Sequence, residues 1–261
     1  RRTRNKIYRY SMYAIFVVAV VLVVVLTDWP KIAQQFFNPA VAAKMFPDII
    51  TVALRNTILF TLIAFTGGVL LGILFALMKL SSIGPFRWFA TAWIELFRGL
   101  PALLTIFAVA FILPIAFGIN PRAIGGPVGA GLIGLILVAS AYMAEVIRAG
   151  IQAVPKGQTE ASRSLGMSPM KTMFFIVLPQ GFRIIIPPLT NEFVLLLKDT
   201  SLLFIAGTFL WSRELTTFAR DATTQNANAT PLIMAAILYL VITIPLTRFT
   251  AWLERRMARE R

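Results

Sequence analysis

The sequence predicts an all-α integral membrane protein with about six transmembrane helices, and three observations support this fold class. Apolar residues occupy 58% of the 261 positions, and the mean hydropathy is +0.79. Several apolar runs reach the roughly 20 residues that an α-helix needs to cross a bilayer. A single soluble domain of this length has too little interior to bury so much apolar surface.

Two residue types that carry much enzyme chemistry are missing, because the sequence contains neither cysteine nor histidine. A disulfide framework and a thiolate metal site are therefore excluded, and the usual general base near pH 7 is absent. There is also no Gly-x-x-x-x-Gly-Lys-Ser/Thr phosphate loop. We expect no catalytic residues, no metal site, no ATP site and no cofactor in this chain, which argues against an enzyme.

The first of three predicted regions covers residues 1–48. Residues 1–10 are basic, residues 12–26 form an apolar run that predicts the first span, and residues 28–47 contain three prolines. We interpret this last stretch as an external loop that contains one short interfacial helix. The other two regions are a transmembrane domain over residues 49–253 and a basic cytoplasmic tail over residues 254–261.

The transmembrane domain begins with a span over residues 49–78. Gly68 and Gly72 in this span have the small-x-x-x-small spacing that lets two helices pack closely. The next apolar segment, residues 86–117, is interrupted at Arg98-Gly99-Leu100-Pro101, where we predict an elbow followed by a helix from Ala102. Further spans are predicted over residues 128–150, 182–207 and 231–249, the second of them interrupted at Pro187-Pro188 and again at residues 198–201.

A polar, basic segment, residues 155–179, lies between two apolar spans. Pro155 can open a short helix, and Gly166 can supply the left-handed residue that ends it. Ser168-Pro169 then provides an N-cap and a first-turn proline for a second helix. We therefore predict two short helices that are joined by a glycine turn and closed by Leu178-Pro179, and we call this segment the polar hairpin.

The distribution of basic residues predicts the topology. If the N-terminus is cytoplasmic and six spans alternate, seventeen Lys and Arg residues fall in cytoplasmic segments and five in external ones. This asymmetry follows the positive-inside rule and places both termini and the polar hairpin in the cytoplasm. It also explains the net charge of +14 without nucleic acid as a partner.

Glu192 and Asp199 are the strongest candidates for the lining of a cavity within the membrane. An ionisable group at the bilayer centre costs about 2.5–3.5 kcal/mol on insertion scales, so such a group faces a cavity or a partner. Because the two carboxylates are seven positions apart, a regular helix would place them on one face. The alternative is that they form structural ion pairs with Arg98, Lys198 or Arg183.

Each of two further carboxylates is followed three positions later by a basic residue, the spacing at which side chains meet on a helix. Glu145 can therefore pair with Arg148, or it can face a ligand. At the elbow beside Pro101, we expect Glu95 and Arg98 to form a structural pair rather than a ligand contact.

The polar hairpin resembles the EAA loop of the membrane subunits of ABC importers. Ser162 stands where that family usually has a second alanine, and it keeps the side chain small. The resemblance implies the type I importer permease fold, with residues 155–179 as a cytoplasmic coupling-helix loop that docks on a separate ATPase. The matching residues are Glu160, Ala161, Ser162, Gly166, Ile176, Leu178 and Pro179, and Leu165 completes the first helix.

Other motifs narrow the resemblance, over about residues 50–250, to permeases for polar amino acids. It implies a substrate site near the membrane midplane in which Glu192 and Asp199 contact or frame the amino acid. The further candidates are Asn191 and Ser201 beside them, and Tyr142 and Glu145 on a facing helix. The motifs are Phe97-Arg98-Gly99-x-Pro101, with Leu100 where threonine is common, Ala141-Tyr142-x-Ala-Glu145-x-x-Arg148-x-Gly150, Lys156-Gly157-Gln158, Asn191-Glu192 and Lys198-Asp199-Thr200-Ser201-Leu202.

The resemblance also implies the partners of the chain. They are a cytoplasmic ATPase dimer that binds ATP and Mg, an external solute-binding protein, and the lipid of a bacterial inner membrane. Each ATPase groove needs one coupling loop and this chain has one, so a second permease chain is required, either a copy or a paralogue. The amino acid itself stays open, because carboxylates and basic residues both occur among the candidates.

Other function classes remain as alternatives. A proton- or cation-coupled secondary transporter could use Glu192, Asp199 or Glu145 as its ion site. An internal repeat would support that function, but none is visible between the two halves. A membrane enzyme would have to work with carboxylates alone, and a purely structural scaffold would leave the intramembrane charges unexplained.

Overall fold

The computed structural model describes residues 2–259, with side chains at residues 8–120 and 122–257. All regular structure in this range is helical, as predicted. Of the predicted basic tail, positions 260 and 261 lie outside the described residues.

The α-helices are α1 Arg2–Leu26, α2 Trp29–Phe36, α3 Pro39–Lys44, α4 Arg55–Leu80, α5 Gly84–Gly99, α6 Ala102–Phe117, α7 Gly126–Gln152, α8 Lys156–Ser164, α9 Pro169–Thr172, α10 Leu178–Asp199, α11 Leu215–Asn226 and α12 Thr230–Arg259. Short 3-10 segments cover Pro121–Ile124, Thr200–Ala206 and Leu210–Ser212, and π-helical turns cover Ile49–Leu54 and Met173–Val177.

Six segments of the described chain suit a membrane crossing, as predicted. Five are single helical stretches, and the sixth is the pair α5–α6, bent by 109°. The bend lies between Gly99 and Ala102, where Pro101 has no backbone N–H with which to extend α5. The predicted elbow is therefore confirmed. The five single stretches are Tyr8–Leu26, Ile49–Leu80, Gly126–Gln152, Pro169–Ala206 and Thr230–Met257.

Helix α7 forms the centre of the bundle, and 67% of its apolar stretch is buried. Helix α4 packs along it through the glycines of the small-x-x-x-small pattern. A Cβ built on Gly68 would lie 2.8 Å from the Cβ of Ala139, and one on Gly72 would lie 2.9 Å from the Cβ of Met143. These distances leave no room for a side chain, so the glycines permit the close approach of the two helices.

Helices α1 and α12 lie at the periphery of the described chain. None of the apolar stretch of α1 is buried, and only 6% of that of α12 is buried. Lipid tails are as apolar as these side chains, so a bilayer does not force such helices against the rest of the bundle. Both helices therefore carry apolar surface that the described part of this chain does not cover.

The external loop differs from the prediction, because residues 28–47 hold two short helices rather than one. Asn38 accepts from the backbone N–H groups of Ala40 and Val41, and Pro39 follows in the first turn of α3. This pair is a second start signal of the same kind as Asp28 and Pro30 before α2. The second helix was therefore not predicted, although its start signal lies in the sequence.

The path of the chain through α10 also corrects two expectations. Leu178-Pro179 does not close the polar hairpin, since Pro179 lies in the first turn of α10 and a π-helical turn joins α9 to α10. Pro187-Pro188 does not interrupt the span either, because both residues lie inside α10. Membrane helices tolerate proline where neighbouring groups satisfy the freed backbone atoms. The predicted change at residues 198–201 is confirmed, because α10 ends at Asp199 and continues as a 3-10 segment.

At the end of the bundle away from the polar hairpin, backbone and side-chain contacts tie the loop helices to α12. The amide of Ala229 donates to the carbonyl oxygen of Gln35 at 2.9 Å. The amide of Asn38 donates to Oγ1 of Thr230, also at 2.9 Å. The segment between α1 and α4 is therefore anchored on the start of the last span.

Candidate functional site

The polar hairpin has the local structure that its sequence predicts. Helix α8 starts directly after Pro155, one position later than expected, and ends before Gly166, whose φ is +83°. The amides of Gly166 and Met167 donate to the carbonyl oxygens of Arg163 and Ser162 at 3.0 and 3.1 Å. This is the Schellman arrangement that glycine favours at a helix end. Ser168 then caps α9, as predicted, through the amide of Lys171 at 3.3 Å.

A side-chain hydrogen bond closes the inside of the polar hairpin. Ser162 is only 5% exposed, and its Oγ donates to Oγ1 of Thr172 at 3.1 Å. The residue that departs from the usual alanine therefore ties α8 to α9. Alanine at this position would be as small but could not make the bond.

The outside of the polar hairpin is open. Glu160 and Ala161 are exposed, and the side chain of Leu165 is 85% exposed. A Cβ on Gly166 would meet nothing within 4 Å. The described chain therefore covers neither Leu165 nor the glycine turn beside it.

A groove of about 680 Å³ lies between the polar hairpin and the end of α7. Gln152 contributes from α7, and Lys156, Thr159 and Arg163 contribute from α8. The groove thus brings the last turn of a central span against the first helix of the hairpin.

A second cluster forms where the elbow, α7 and α10 meet. The guanidinium carbon of Arg98 lies 5.5 Å from the centroid of the Tyr142 ring, within the range of a cation–π contact. Glu192 lies within electrostatic range of both Asp199 and Arg98. Arg98 and Tyr142 are therefore in contact, and Glu192 interacts electrostatically with Arg98 and Asp199.

The ion pairs of Glu192 and Asp199 with Arg98 or Lys198, proposed as alternatives, are not seen among the described side chains. Both carboxylates are partly buried. Asn191 is exposed on α10, and Ser201 is partly buried in the following 3-10 segment. Their roles in substrate binding stay predictions.

The predicted Glu95–Arg98 pair is wrong for the described residues. Glu95 is exposed on α5, whereas Arg98 extends to Tyr142 on α7. Arg98 lies in the last turn of α5, directly before the elbow. The bend brings it close to α7, so the aromatic face competes with the carboxylate one turn earlier.

Glu145 has two cationic partners. The predicted contact with Arg148 is confirmed by an ion pair and a second hydrogen bond of 3.1 Å from Nε. Lys79 Nζ on α4 lies 3.2 Å from the same carboxylate. The contact with Lys79 was not predicted, although the predicted topology places both residues near the hairpin-side ends of their spans.

A polar anchor at the opposite end of α4 was also missed. The side-chain amide of Asn56 donates to the carbonyl oxygens of Trp211 at 2.9 Å and Arg213 at 3.0 Å. The amide of Leu215 donates to Oγ1 of Thr57 at 3.1 Å. These bonds fix the chain before α11 on the start of α4. Asn56 beside Thr57 at the start of a span was the only signal for it in the sequence.

Glu214 completes this anchor as a fully buried carboxylate outside the spans. It caps α11 by accepting from the amides of Thr216 and Thr217, and the Tyr239 hydroxyl lies 3.4 Å from it. Burial raises the pKa of Glu214, although these hydrogen bonds oppose the change. Its place between a helix start and a span is structural rather than catalytic.

Comparisons with known proteins agree with this architecture. The family model described as "Binding-protein-dependent transport system inner membrane component" matches residues 68–259. The probable glutamine ABC transporter permease protein GlnM of Bacillus subtilis (strain 168) is 38% identical over 205 residues, which cover 77% of this chain and 90% of GlnM. The L-cystine transport system permease protein TcyB of the same organism is 35% identical over 234 residues, 88% of this chain and 92% of TcyB.

A solved structure extends the likeness to three dimensions. It is described as the crystal structure of an amino acid ABC transporter with histidines, and it is 36% identical with a TM-score of 0.73. The alignment covers 82% of this chain and 96% of the other. The membrane-length helices, the family model that matches residues 68–259 and the similar relatives all agree. The chain belongs to the family of inner-membrane components of binding-protein-dependent transport systems.

Proposed function

We propose that this chain is the transmembrane permease subunit of an ATP-driven importer for a polar amino acid. A separate cytoplasmic ATPase docks on the polar hairpin, and its closure around ATP moves the hairpin and rocks the spans between outward and inward access. This function accounts for a multi-pass member of the family that has no phosphate loop of its own. The family also favours it over a proton- or cation-coupled secondary transporter, which has no need of an ATPase contact.

The observation that carries the proposal is that the polar hairpin is fastened on its inside and exposes an apolar residue on its outside. Ser162 points inward and holds α8 on α9, while Leu165 is almost completely exposed. A rigid hairpin with an apolar residue at its tip suits insertion into a groove of a partner, because little conformational entropy is lost on docking. Glu160 and Ala161 are also exposed.

The partners follow from the same hairpin. Two ATPase subunits need two docking hairpins, so a second permease chain, either a copy or a paralogue, completes the pore. A solute-binding protein delivers the substrate on the opposite side of the membrane. The excess of basic residues in the hairpin and terminal segments supports a cytoplasmic position for the hairpin and both termini in a bacterial inner membrane.

The second cluster supports the substrate class. Glu192 and Asp199 supply negative charge, and Arg98 supplies positive charge beside the Tyr142 ring. A zwitterion presents one group to each sign of charge, and α-amino acids are zwitterions at neutral pH. Relatives that are named for glutamine and cystine favour the same class. Asn191 and Ser201 remain further candidates for the cavity lining, whereas the two cationic partners of Glu145 leave it little capacity for a ligand.

The test is retention of the partner ATPase by the purified chain in detergent, with Leu165→Asp against a matched control. Leu165 is 85% exposed, so the substitution is not expected to affect folding, yet it places a charge at the docking tip. Leu210→Asp makes the same change at a leucine that is 73% exposed at the other end of the bundle. Gly166→Glu is a less clean variant, because its positive φ strains any side chain.

We expect wild type and Leu210→Asp to retain the ATPase and Leu165→Asp to lose it. Equal retention by all three proteins would remove the polar hairpin as the docking site. If wild type itself retains no ATPase, the importer proposal fails, and proton-coupled uptake into liposomes becomes the measurement to make.

A further inference from the structure

Glu145 occupies a position that neither family membership nor the substrate cluster explains. Its carboxylate is engaged by cations from two different helices, Lys79 at the end of α4 and Arg148 within α7. The exposed fractions of the three side chains are 23% for Lys79, 24% for Glu145 and 23% for Arg148. A carboxylate that already has two partners has little capacity left for a ligand.

The network continues from Glu145 towards the polar hairpin. Arg148 donates from Nε and Nη2 to Glu145 and from Nη1 to Oε1 of Gln152. Gln152 is the last residue of α7 and lines the groove that Lys156 and Thr159 of α8 border on the other side. A continuous set of polar contacts therefore joins the end of α4 to the wall of the groove beside the hairpin.

The rest of the α4–α7 contact is of a different kind. Gly68 and Gly72 lie against Ala139 and Met143, and such apolar contact has no preferred direction. Among the described side chains, Lys79–Glu145 is the one hydrogen-bonded contact between α4 and α7. Apolar packing sets how closely the two helices approach, whereas an ion pair with hydrogen bonds joins specific atoms and specifies one arrangement of the two helices.

We propose that Glu145 is a positioning residue that makes α4 move with α7 when the polar hairpin moves. The inference rests on the proposed function, because it assigns a route from the ATPase contact to the spans. In this route the hairpin displaces α7 through the short connection at residues 153–155, and the carboxylate of Glu145 transfers the displacement to Lys79. Glu145 then acts on the coupling of ATP hydrolysis to import and not on substrate affinity.

The experiment uses the complete transporter in proteoliposomes, with its ATPase, its second permease chain and its solute-binding protein. Two quantities are measured, the amount of amino acid imported per ATP hydrolysed and the KM for import. The variants are Glu145→Gln, Lys79→Met and the double variant, with Lys79→Arg as the conservative change. Glu254→Gln is the matched control, because Glu254 is an exposed carboxylate on α12.

We expect Glu145→Gln and Lys79→Met each to lower import per ATP by about fivefold or more, with KM changed by less than about twofold. The double variant should be no worse than the more severe single variant, since both remove the same contact. Lys79→Arg and Glu254→Gln should behave as wild type. If Glu145→Gln does not fold, Lys79→Met carries the same test, because it leaves the Glu145–Arg148 pair in place.

Two results would overturn the inference. One is an unchanged import per ATP in both single variants. The other is a KM for import raised about tenfold or more at normal import per ATP, which would make Glu145 a substrate contact. Failure of the proposed function is a separate outcome, because wild type would then show no ATP-dependent import at all.

Discussion

Replacement of Gly72 by alanine tests whether the close packing of α4 on α7 limits the stability of this protein. The added Cβ would lie 2.9 Å from Cβ of Met143, 3.1 Å from the amide nitrogen of Ala144 and 3.2 Å from the carbonyl carbon of Met143. Ordinary contact begins at 3.4 Å. Two of these three atoms belong to the backbone, so a side-chain rotation cannot relieve the clash. Helix α7 must therefore move by about 0.5 Å in a densely packed interior.

The expected loss of stability follows from two opposing contributions. Overpacking of a well-packed core costs about 1–3 kcal/mol. Alanine in a helix interior is better than glycine by about 0.5–1 kcal/mol, because the unfolded chain loses less entropy. The midpoints of the two ranges leave a net loss of about 1.25 kcal/mol. At about 2–4 °C per kcal/mol for a chain of this length, the Tm should fall by about 2.5–5 °C.

The assay is thermal unfolding of the purified protein in detergent, followed by circular dichroism. Gly157→Ala is the matched control, because Gly157 lies on α8 and an added Cβ there meets nothing within 4 Å. Its Tm should equal or slightly exceed that of wild type. A Gly72→Ala protein that is as stable as wild type, beside a control that behaves as expected, would refute the packing argument.

Three further predictions test other contacts. Ser162→Ala should speed hydrogen exchange over residues 156–172 by about 2- to 12-fold, because a net hydrogen bond contributes about 0.5–1.5 kcal/mol. When Thr172→Val is combined with Ser162→Ala, the exchange rate should not rise further, because the same hydrogen bond is already lost. Because burial raises the pKa of Glu214 above its ordinary 4.5, the fold favours the protonated form. The free energy of unfolding should therefore fall as pH rises from about 4.5 through the raised value, and Glu214→Gln should flatten this dependence in melts at several pH values. Asp199→Asn should raise the KM for import about tenfold or more, by loss of a charged contact, without loss of ATPase retention; an unchanged KM would remove Asp199 from the substrate site.

The features that the sequence predicted well are those with local causes. The spans follow from the length of apolar runs, and the elbow follows from Gly99 and Pro101, which act on their own backbone neighbours. The turn of the polar hairpin follows from Gly166, since a left-handed residue is needed there and glycine adopts it without strain. The small-x-x-x-small pattern predicted close packing, although not the helix that would fill it.

Two of the errors have a common origin in the tertiary surroundings of the residues. Arg98 had a carboxylate three positions away, yet the bend at the elbow brought an aromatic ring within reach. Pro187 and Pro188 break helices in isolation, but neighbouring groups keep them inside α10. In each case the local preference was correct for an isolated helix, and the tertiary surroundings changed the outcome.

The sequence by itself determined the membrane class, the number of spans, the elbow and the hairpin, because each depends on residues within about one helical turn or on a continuous run. Only the tertiary structure decided which distant residues meet. Lys79 reaches Glu145 across 66 positions, and Leu215 reaches Thr57 across 158. No spacing rule covers such distances, since the packing of helices α4, α7 and α11 sets them. The partners of the buried charges therefore had to come from the fold.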